Sequence, residues 1–145
     1  MKRHRVLQDL SRDHHSALVV ARRLQGAGGE DAIAIRDAFL EFWRTAGERH
    51  FRIEEEALLP TLARAGGAEE PIVSRVLHDH AEIRLNAMLM QSRLLSAPFQ
   101  AELGKLLADH VRLEERELFP LIEATLTPEA LSSLERAISE AEGKR

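Results

Sequence analysis

The chain of 145 residues contains one motif of eleven residues twice. Residues 50–60 read His-Phe-Arg-Ile-Glu-Glu-Glu-Ala-Leu-Leu-Pro and residues 110–120 read His-Val-Arg-Leu-Glu-Glu-Arg-Glu-Leu-Phe-Pro, with identity at six of the eleven positions. Upstream, Asp13-His14 and Asp79-His80 form a second repeated pair, at an offset of 66 (80 − 14) against 60 (110 − 50) for the longer motif. The chain therefore consists of two related halves that differ in loop length, and a fold with a pseudo-twofold axis is expected.

The composition favours helices throughout. Ala, Leu, Glu and Arg dominate, whereas Tyr is absent and Val, Ile and Thr are too sparse for a sheet. Helix breaks are indicated by Gly, Pro, Ser and Thr at residues 26–29, 66–71, 96–98 and 127–128. Connections this short favour antiparallel neighbours. The sequence predicts one all-α domain over residues 1–145, an antiparallel up-down four-helix bundle of two pseudo-repeated hairpins over about 4–125, with a short fifth helix over about 128–142.

Two prolines fall inside helical patterns. Pro60 and Pro120 each close one copy of the eleven-residue motif. Proline lacks the N–H that the helix ladder needs, and its ring clashes with the carbonyl four residues earlier. We therefore expect each helix to end or kink near its proline.

Four histidines fall on the apolar faces of the four predicted helices, namely His14, His50, His80 and His110. One histidine on an apolar face is more often a satisfied core residue than a ligand. Four in one small bundle cost several kcal/mol unless their polar groups are compensated, and a metal compensates them directly. His15 aligns with an alanine in the repeat, so His14 is the better candidate of that pair.

Two carboxylates accompany the histidines at chelate spacing. Glu54 and Glu114 each follow an inward histidine by four residues and so project from the same helix face. Glu56 and Glu117 fit a solvated surface instead. Two His and one Glu from each half suit two metal ions bridged by two carboxylates. The predicted metal ligands are His14, His50, Glu54, His80, His110 and Glu114.

The composition also limits the metal. There is no cysteine, which excludes disulfides, thiolate zinc sites, iron-sulfur clusters and cysteine nucleophiles. Imidazole with carboxylate suits iron, manganese or zinc, and two bridging carboxylates favour iron. The ferritin-like di-iron bundles need Glu-x-x-His pairs, and no Glu stands three residues before any histidine here. We predict two iron ions, with zinc or manganese as substitutes.

These motifs resemble the hemerythrin-like family, also known as HHE cation-binding domains, over essentially residues 4–125. The resemblance rests on Leu-Ser-Arg-Asp-His at 10–14, on Asp-His-Ala-Glu-Ile-Arg at 79–84, and on the two copies at 50–60 and 110–120. It implies a four-helix bundle with a non-haem di-iron centre, oxo- or hydroxo-bridged. Relatives use that centre for oxygen binding, for oxygen or iron sensing, and for handling peroxide or nitric oxide.

The sequence departs from the oxygen carriers of that family at two points. The carriers have a fifth histidine one turn before the position of His80, where this chain has Val76. They also space the last histidine and carboxylate five apart, which would select Glu115. We prefer Glu114 because it matches Glu54 in the repeat, and keep Glu115 as the alternate. Four histidines leave coordination open, which permits chemistry and argues against a stable carrier unless another side chain such as His15, Glu55 or Glu115 binds.

Several neighbours of the candidate ligands receive simpler interpretations. Asp13 and Asp79 each precede a ligand by one residue and so point about 100° away, which gives them no role at the site. Trp43 lies seven residues before His50 and is expected in the core above the site. Met88 and Met90 are also expected in the core.

The charge pattern and motifs exclude several classes of partner. The net charge of −4, with both signs interspersed, provides no basic face for nucleic acid. No apolar run approaches the roughly 18 residues of a membrane span, and no signal peptide is recognised, so a cytoplasmic protein is expected. The fifth helix covers one end of the bundle or mediates a homodimer, or an unknown protein partner binds.

The sequence favours a metal-binding or sensor protein over a dedicated enzyme, because it has no recognisable nucleophile motif and no phosphate loop. The first hypothesis is a di-iron protein that binds or reacts with oxygen, peroxide or nitric oxide, or senses oxygen or iron. The alternative is a metal-dependent regulatory or interaction module without redox turnover. A hydrolytic zinc or manganese site lacks a substrate-orienting polar cluster.

Overall fold

The computed structural model describes residues 3–27 and 31–143. Within these ranges the chain is helical and has no strand. The five helices are α1 (Arg5–Gln25), α2 (residues 32–67), α3 (Pro71–Ser92), α4 (residues 97–125) and α5 (Pro128–Gly143). This confirms the predicted all-α bundle with a short fifth helix. Of the predicted break at 26–29, Gly28 and Gly29 lie outside the described residues.

Two apolar clusters establish that α1 to α4 run up and down. One cluster joins the start of α1 to the end of α2, the start of α3 and the end of α4, and includes Leu7, Leu10, Leu58, Leu62, Val76, Phe119 and Ile122. The other joins the end of α1 to the start of α2, the end of α3 and the start of α4, and includes Ala21, Leu24, Ile35, Phe39, Ile83, Ala87, Leu103 and Leu107. Starts meet ends in this way when neighbouring helices are antiparallel.

The helix ends follow local sequence. Gly66, with φ of 99°, adopts the left-handed conformation near the end of α2, where a side chain would be strained. The Thr127 hydroxyl accepts a hydrogen bond from the N–H of Ala130 at 3.1 Å, and Pro128 takes the first position of α5. The predicted cap at 127–128 is therefore present.

The fifth helix covers one end of the bundle. Its buried Leu134 and Ala141 belong to the cluster formed by the start of α1 and the end of α2. The partly buried Leu131 and Ile138 pack against the same cluster. The predicted apolar stripe of α5 thus packs within the chain. No helix in the ranges 3–27 and 31–143 is long and apolar enough to cross a membrane.

Both helices continue through their prolines and do not end there, and the irregularity near each proline is a π-helical turn. A π-helical turn precedes each proline, over Glu54–Leu58 in α2 and Glu114–Leu118 in α4. The N–H of Leu59 bonds to the carbonyl of Glu54, five residues back, and Phe119 bonds to Glu114 in the same way. The wider turn makes room for proline, which has no N–H to donate to the helix ladder.

Helices α1 and α4 pack closely at Gly104. A Cβ atom there would lie 2.6 Å from the carbonyl oxygen of Ala21 and 2.8 Å from the Cβ of Leu24. Alanine favours an isolated helix by about 1 kcal/mol over glycine, but backbone atoms cannot yield to the added methyl. We expect Gly104→Ala to lower the free energy of unfolding by about 1–3 kcal/mol, measured by urea denaturation. Gly143→Ala, with nothing within 4 Å of its Cβ, is the control; equal stability of both variants would contradict the close packing.

One core expectation is wrong. Met90 is buried, as predicted, but Met88 is 65% exposed. The reason is the helix register of α3, which also leaves Leu77 and Leu85 exposed on the outer side. Trp43 is buried, as expected, and packs between Phe39 and Phe51 in the cluster next to the site.

Candidate metal centre

Between the two apolar clusters lies a layer of buried polar side chains. Each of α1 to α4 contributes one histidine, and α2 and α4 add one glutamate each. None of the six is more than 4% exposed, and they are His14, His50, Glu54, His80, His110 and Glu114. The structure therefore brings together the whole set of side chains that the repeat singled out.

The six side chains form two overlapping groups of four. In each group, one potential ligand atom per residue lies within 4.8 Å of all the others. One group is His14, His50, Glu54 and Glu114, and the other is Glu54, His80, His110 and Glu114. Each group contains one histidine pair and both glutamates. This is the arrangement needed for two adjacent cations that share two carboxylates.

Three of the four Nε2 atoms lie close to carboxylate oxygens without making regular hydrogen bonds, whereas that of His14 is hydrogen-bonded to Oε1 of Glu114 at 2.8 Å. The Nε2 atoms of His50 and His80 lie 3.0 Å from the two oxygens of Glu54, and that of His110 lies 3.0 Å from Glu114. Within the part of the chain that the structure describes, these three Nε2 atoms and both Glu54 oxygens have no hydrogen-bond partner. Each such buried atom costs about 1–3 kcal/mol. A bound cation would satisfy all of them together.

Each imidazole is held at its other nitrogen by an outer carboxylate. Because an ionised carboxylate only accepts, each Nδ1–H donates, which leaves Nε2 available as a metal ligand. The four pairs are His14 with Glu115 at 2.6 Å, His50 with Asp13 at 3.1 Å, His80 with Glu55 at 2.6 Å, and His110 with Asp79 at 3.0 Å.

This network corrects the interpretation of Asp13 and Asp79 as residues without a role. Each points away from the histidine beside it in sequence, as expected, but reaches a histidine of the next helix. Asp13 of α1 bonds to His50 of α2, and Asp79 of α3 bonds to His110 of α4. The signal was present in the sequence, because both aspartates belong to the repeated Asp-His pair.

The side chains considered as extra ligands lie elsewhere. Glu55 and Glu115 bind the outer nitrogens of His80 and His14 and belong to neither group of candidate ligands. His15 is exposed. Val76, which takes the position of the carriers' fifth histidine, is fully buried in an apolar cluster.

Aromatic rings cover two of the imidazoles. Phe51 stacks on His80 with ring centroids 3.8 Å apart and planes 7° apart. Phe119 stacks on His14 at 5.2 Å and 14°. These rings fix the imidazole planes and exclude water from those sides.

The charges in the layer shift each other's pKa. Burial by itself lowers the pKa of His80, but the nearby carboxylates of Glu114, Glu54 and Glu55 outweigh it and raise that pKa to about 10. Burial also lowers the pKa of His110, but Glu114 and Asp79 outweigh burial and raise that pKa to about 9. These two imidazoles therefore carry a proton on both nitrogens at neutral pH when no metal is bound. A cation that binds there must displace a proton from each.

A small cavity of about 10 Å³ adjoins the layer. It touches His14, His50 and His110, and Leu107 and Val111 are among its apolar walls. A volume of this order holds one molecule the size of water. The cavity is therefore suited to a very small ligand.

Comparison with protein families gives a match over most of the chain. The family model described as the hemerythrin HHE cation binding domain matches residues 4–122, which is most of the chain. No curated protein matches the chain, and no solved structure does. The matched range contains all six side chains of the buried layer.

Proposed function

The chain belongs to the hemerythrin HHE cation binding domain family, and from this premise we propose that it binds two iron ions in the buried layer. One ion is bound by the imidazoles of His14 and His50 and the other by those of His80 and His110. Glu54 and Glu114 bridge the two. Zinc and manganese are the metals expected to substitute, because the donor set is nitrogen and oxygen without sulfur.

The observation that carries this proposal is the pair of overlapping four-residue groups that share both glutamates. Each of the four imidazoles already donates from Nδ1 to an outer carboxylate by a regular hydrogen bond, as a core histidine would. Here three Nε2 atoms lie about 3 Å from carboxylate oxygens without one, as expected for donors directed at a common point. Two bridging carboxylates favour iron over a single zinc.

We further propose that the site binds or reacts with oxygen, peroxide or nitric oxide, or uses such a ligand to sense oxygen or iron. Bound iron would supply redox chemistry and open coordination positions. The small cavity beside His14 and His50 has about the size of one water molecule, which favours a very small ligand over larger substrates. Its apolar walls, among them Leu107 and Val111, keep bulk water away from that side. A cytoplasmic location stays a prediction.

The alternative is a metal-dependent regulatory module without redox turnover. It is supported by the position of the layer, which ties together all four helices of the bundle and leaves buried polar atoms unpaired unless a cation binds. Metal binding would then order the fold, and a partner would recognise the ordered state. The two functions differ in whether the loaded site reacts with small oxidants.

Elemental analysis tests the metal first. Wild-type protein purified without chelators should contain about two irons per chain, and the double variant Glu54→Ala, Glu114→Ala should contain none. The matched control is Glu56→Ala, Glu117→Ala, which removes two exposed glutamates of the same motifs and should keep the metal. A fully folded wild type that takes up no metal would rule the proposal out.

Reactivity is tested on the iron-loaded protein. After anaerobic loading with Fe²⁺, separate samples receive oxygen, hydrogen peroxide or nitric oxide while the visible spectrum is followed. A new ligand-to-metal absorption band is expected with at least one of them. An unchanged spectrum with all three would reject the redox function and favour the regulatory alternative.

A further inference from the structure

An arginine holds the outer carboxylate behind His80. The guanidinium of Arg84 donates from Nη1 to Oε2 of Glu55 at 2.7 Å and from Nη2 to Oε1 at 2.9 Å. The same Glu55 oxygen Oε2 accepts from Nδ1 of His80 at 2.6 Å. A forked pair of this kind fixes the carboxylate in one orientation, and the carboxylate in turn fixes the imidazole.

The other half of the bundle has a related arrangement, in which an arginine from a different place contacts the outer carboxylate through one nitrogen. The repeat offset of 66 would put the counterpart of Arg84 at position 18 (84 − 66), which is Leu18. Instead Arg3, before the start of α1, donates from Nη2 to Oε1 of Glu115 and to its carbonyl oxygen, both at 3.1 Å. Glu115 accepts from Nδ1 of His14 at 2.6 Å.

The likeness extends to the aromatic rings. The guanidinium of Arg84 lies 5.8 Å from the ring centre of Phe51, which stacks on His80. The guanidinium of Arg3 lies 5.5 Å from the ring centre of Phe119, which stacks on His14. In both halves, one arginine therefore contacts both the carboxylate and the ring that position one imidazole.

The segment that carries Arg3 is attached to α4 at a second point. Arg3 Nη1 donates to Oε1 of Glu123 at 2.9 Å, and the backbone N–H of His4 donates to Oε2 at 2.7 Å. His4 is half-buried, and its Nδ1 caps α1 by accepting from the N–H of Val6. Residues 3–4 are thus docked on α4 through Glu115 and Glu123.

We propose that Arg3 is a positioning residue for the metal position of His14 and His50, so that docking of residues 3–4 on α4 raises the affinity of that position more than the affinity of the position of His80 and His110. Arg84 serves the position of His80 and His110 in the same way. This inference rests on the proposed metal binding. Outer-sphere partners of this type change metal affinity by about 10- to 100-fold.

Titration of the chelator-treated full chain with Co²⁺ alone tests the proposal. Wild type should bind two Co²⁺ ions. In Arg3→Ala, one of the two should bind about 10- to 100-fold more weakly, and the hyperfine-shifted Nδ1–H resonance of His14 should be altered while that of His80 is not. Arg84→Ala should show the reverse. Arg3→Lys, which keeps the charge without the planar guanidinium, should recover part of the affinity.

The control is Arg5→Ala, which removes an exposed arginine two residues away and should match wild type. Wild-type affinity for both ions in Arg3→Ala would overturn the proposal. A lower melting temperature of chelator-treated Arg3→Ala with unchanged Co²⁺ affinity would also overturn it, since Arg3 would then only hold the fold. A wild type that binds no Co²⁺ would refute the proposed function itself, and this inference with it.

Discussion

Anaerobic loading of the chelator-treated wild type with Fe²⁺ should raise its melting temperature by about 8–16 °C for each ion bound. A cation that binds the folded chain alone stabilises it by about 4 kcal/mol when its free concentration is about 1,000 times the Kd. For a chain of about this size, 1 kcal/mol corresponds to roughly 2–4 °C. Far-ultraviolet circular dichroism, recorded at fixed free metal concentration, measures the change in melting temperature.

The same loading should leave the double variant Glu54→Ala, Glu114→Ala unchanged. Both positions lose their bridging ligands in this variant, so neither ion is held. The exposed pair variant Glu56→Ala, Glu117→Ala should show the full rise. An equal rise in the Glu54 and Glu114 variant would mean that Fe²⁺ binds elsewhere on the chain.

Chelator-treated wild type should lose stability as the pH rises from about 6.5 towards 10. Despite burial, the surrounding carboxylates raise the pKa of His80 to about 10 and that of His110 to about 9, from ordinary values near 6.5. A group whose pKa is raised by folding contributes stability that is complete below its unfolded pKa. That contribution disappears as the pH passes through the folded pKa, because the proton that pairs with the carboxylates is lost.

On the acid side, stability is lost as the pH falls. Despite partial burial, hydrogen bonds from their partners lower the pKa of Glu55 and Glu115 to about 2. Their contribution is present above the ordinary value of 4.5 and is lost as the pH falls towards 2. The stability of the chelator-treated protein should therefore be greatest between about pH 4.5 and 6.5.

Urea denaturation midpoints from about pH 3 to 10 test this profile. His80→Ala should remove much of the alkaline decline, whereas His78→Ala, at an exposed position on the same helix, should keep it. The metal-loaded protein should show a weaker decline, because a cation takes the place of the protons. A flat profile for chelator-treated wild type would contradict the charge arrangement of the layer.

Much of the fold and the candidate site followed from periodicity and the repeat. Helical spacing puts side chains four residues apart on one face, so His50 with Glu54 and His110 with Glu114 could be recognised as pairs. The repeat then distinguished His14 from His15 and Glu114 from Glu115. The structure brings together His14 and Glu114 in the buried layer and leaves His15 exposed.

What could not be predicted depends on how neighbouring helices pack. Asp13 reaches His50 across a helix boundary, a contact that helix periodicity does not describe. Arg3 lies outside the repeat and takes the place that its offset assigns to Leu18. The π-helical turns before Pro60 and Pro120 arise because packing on both sides keeps each helix continuous where proline alone would interrupt it.

The polar layer separates the apolar interior into two clusters that share no residue. Different parts of the bundle therefore hold the helices together and set their alignment. Apolar side chains at either end supply cohesion and tolerate exchange for others of similar volume. The six residues in the middle set the alignment of the helices. A shift of one residue in the register of a helix turns its side chains by about 100° and removes its ligand from the centre. The apolar residues at either end could thus be exchanged without moving the site. An insertion within any of the four helices would instead displace the candidate ligands.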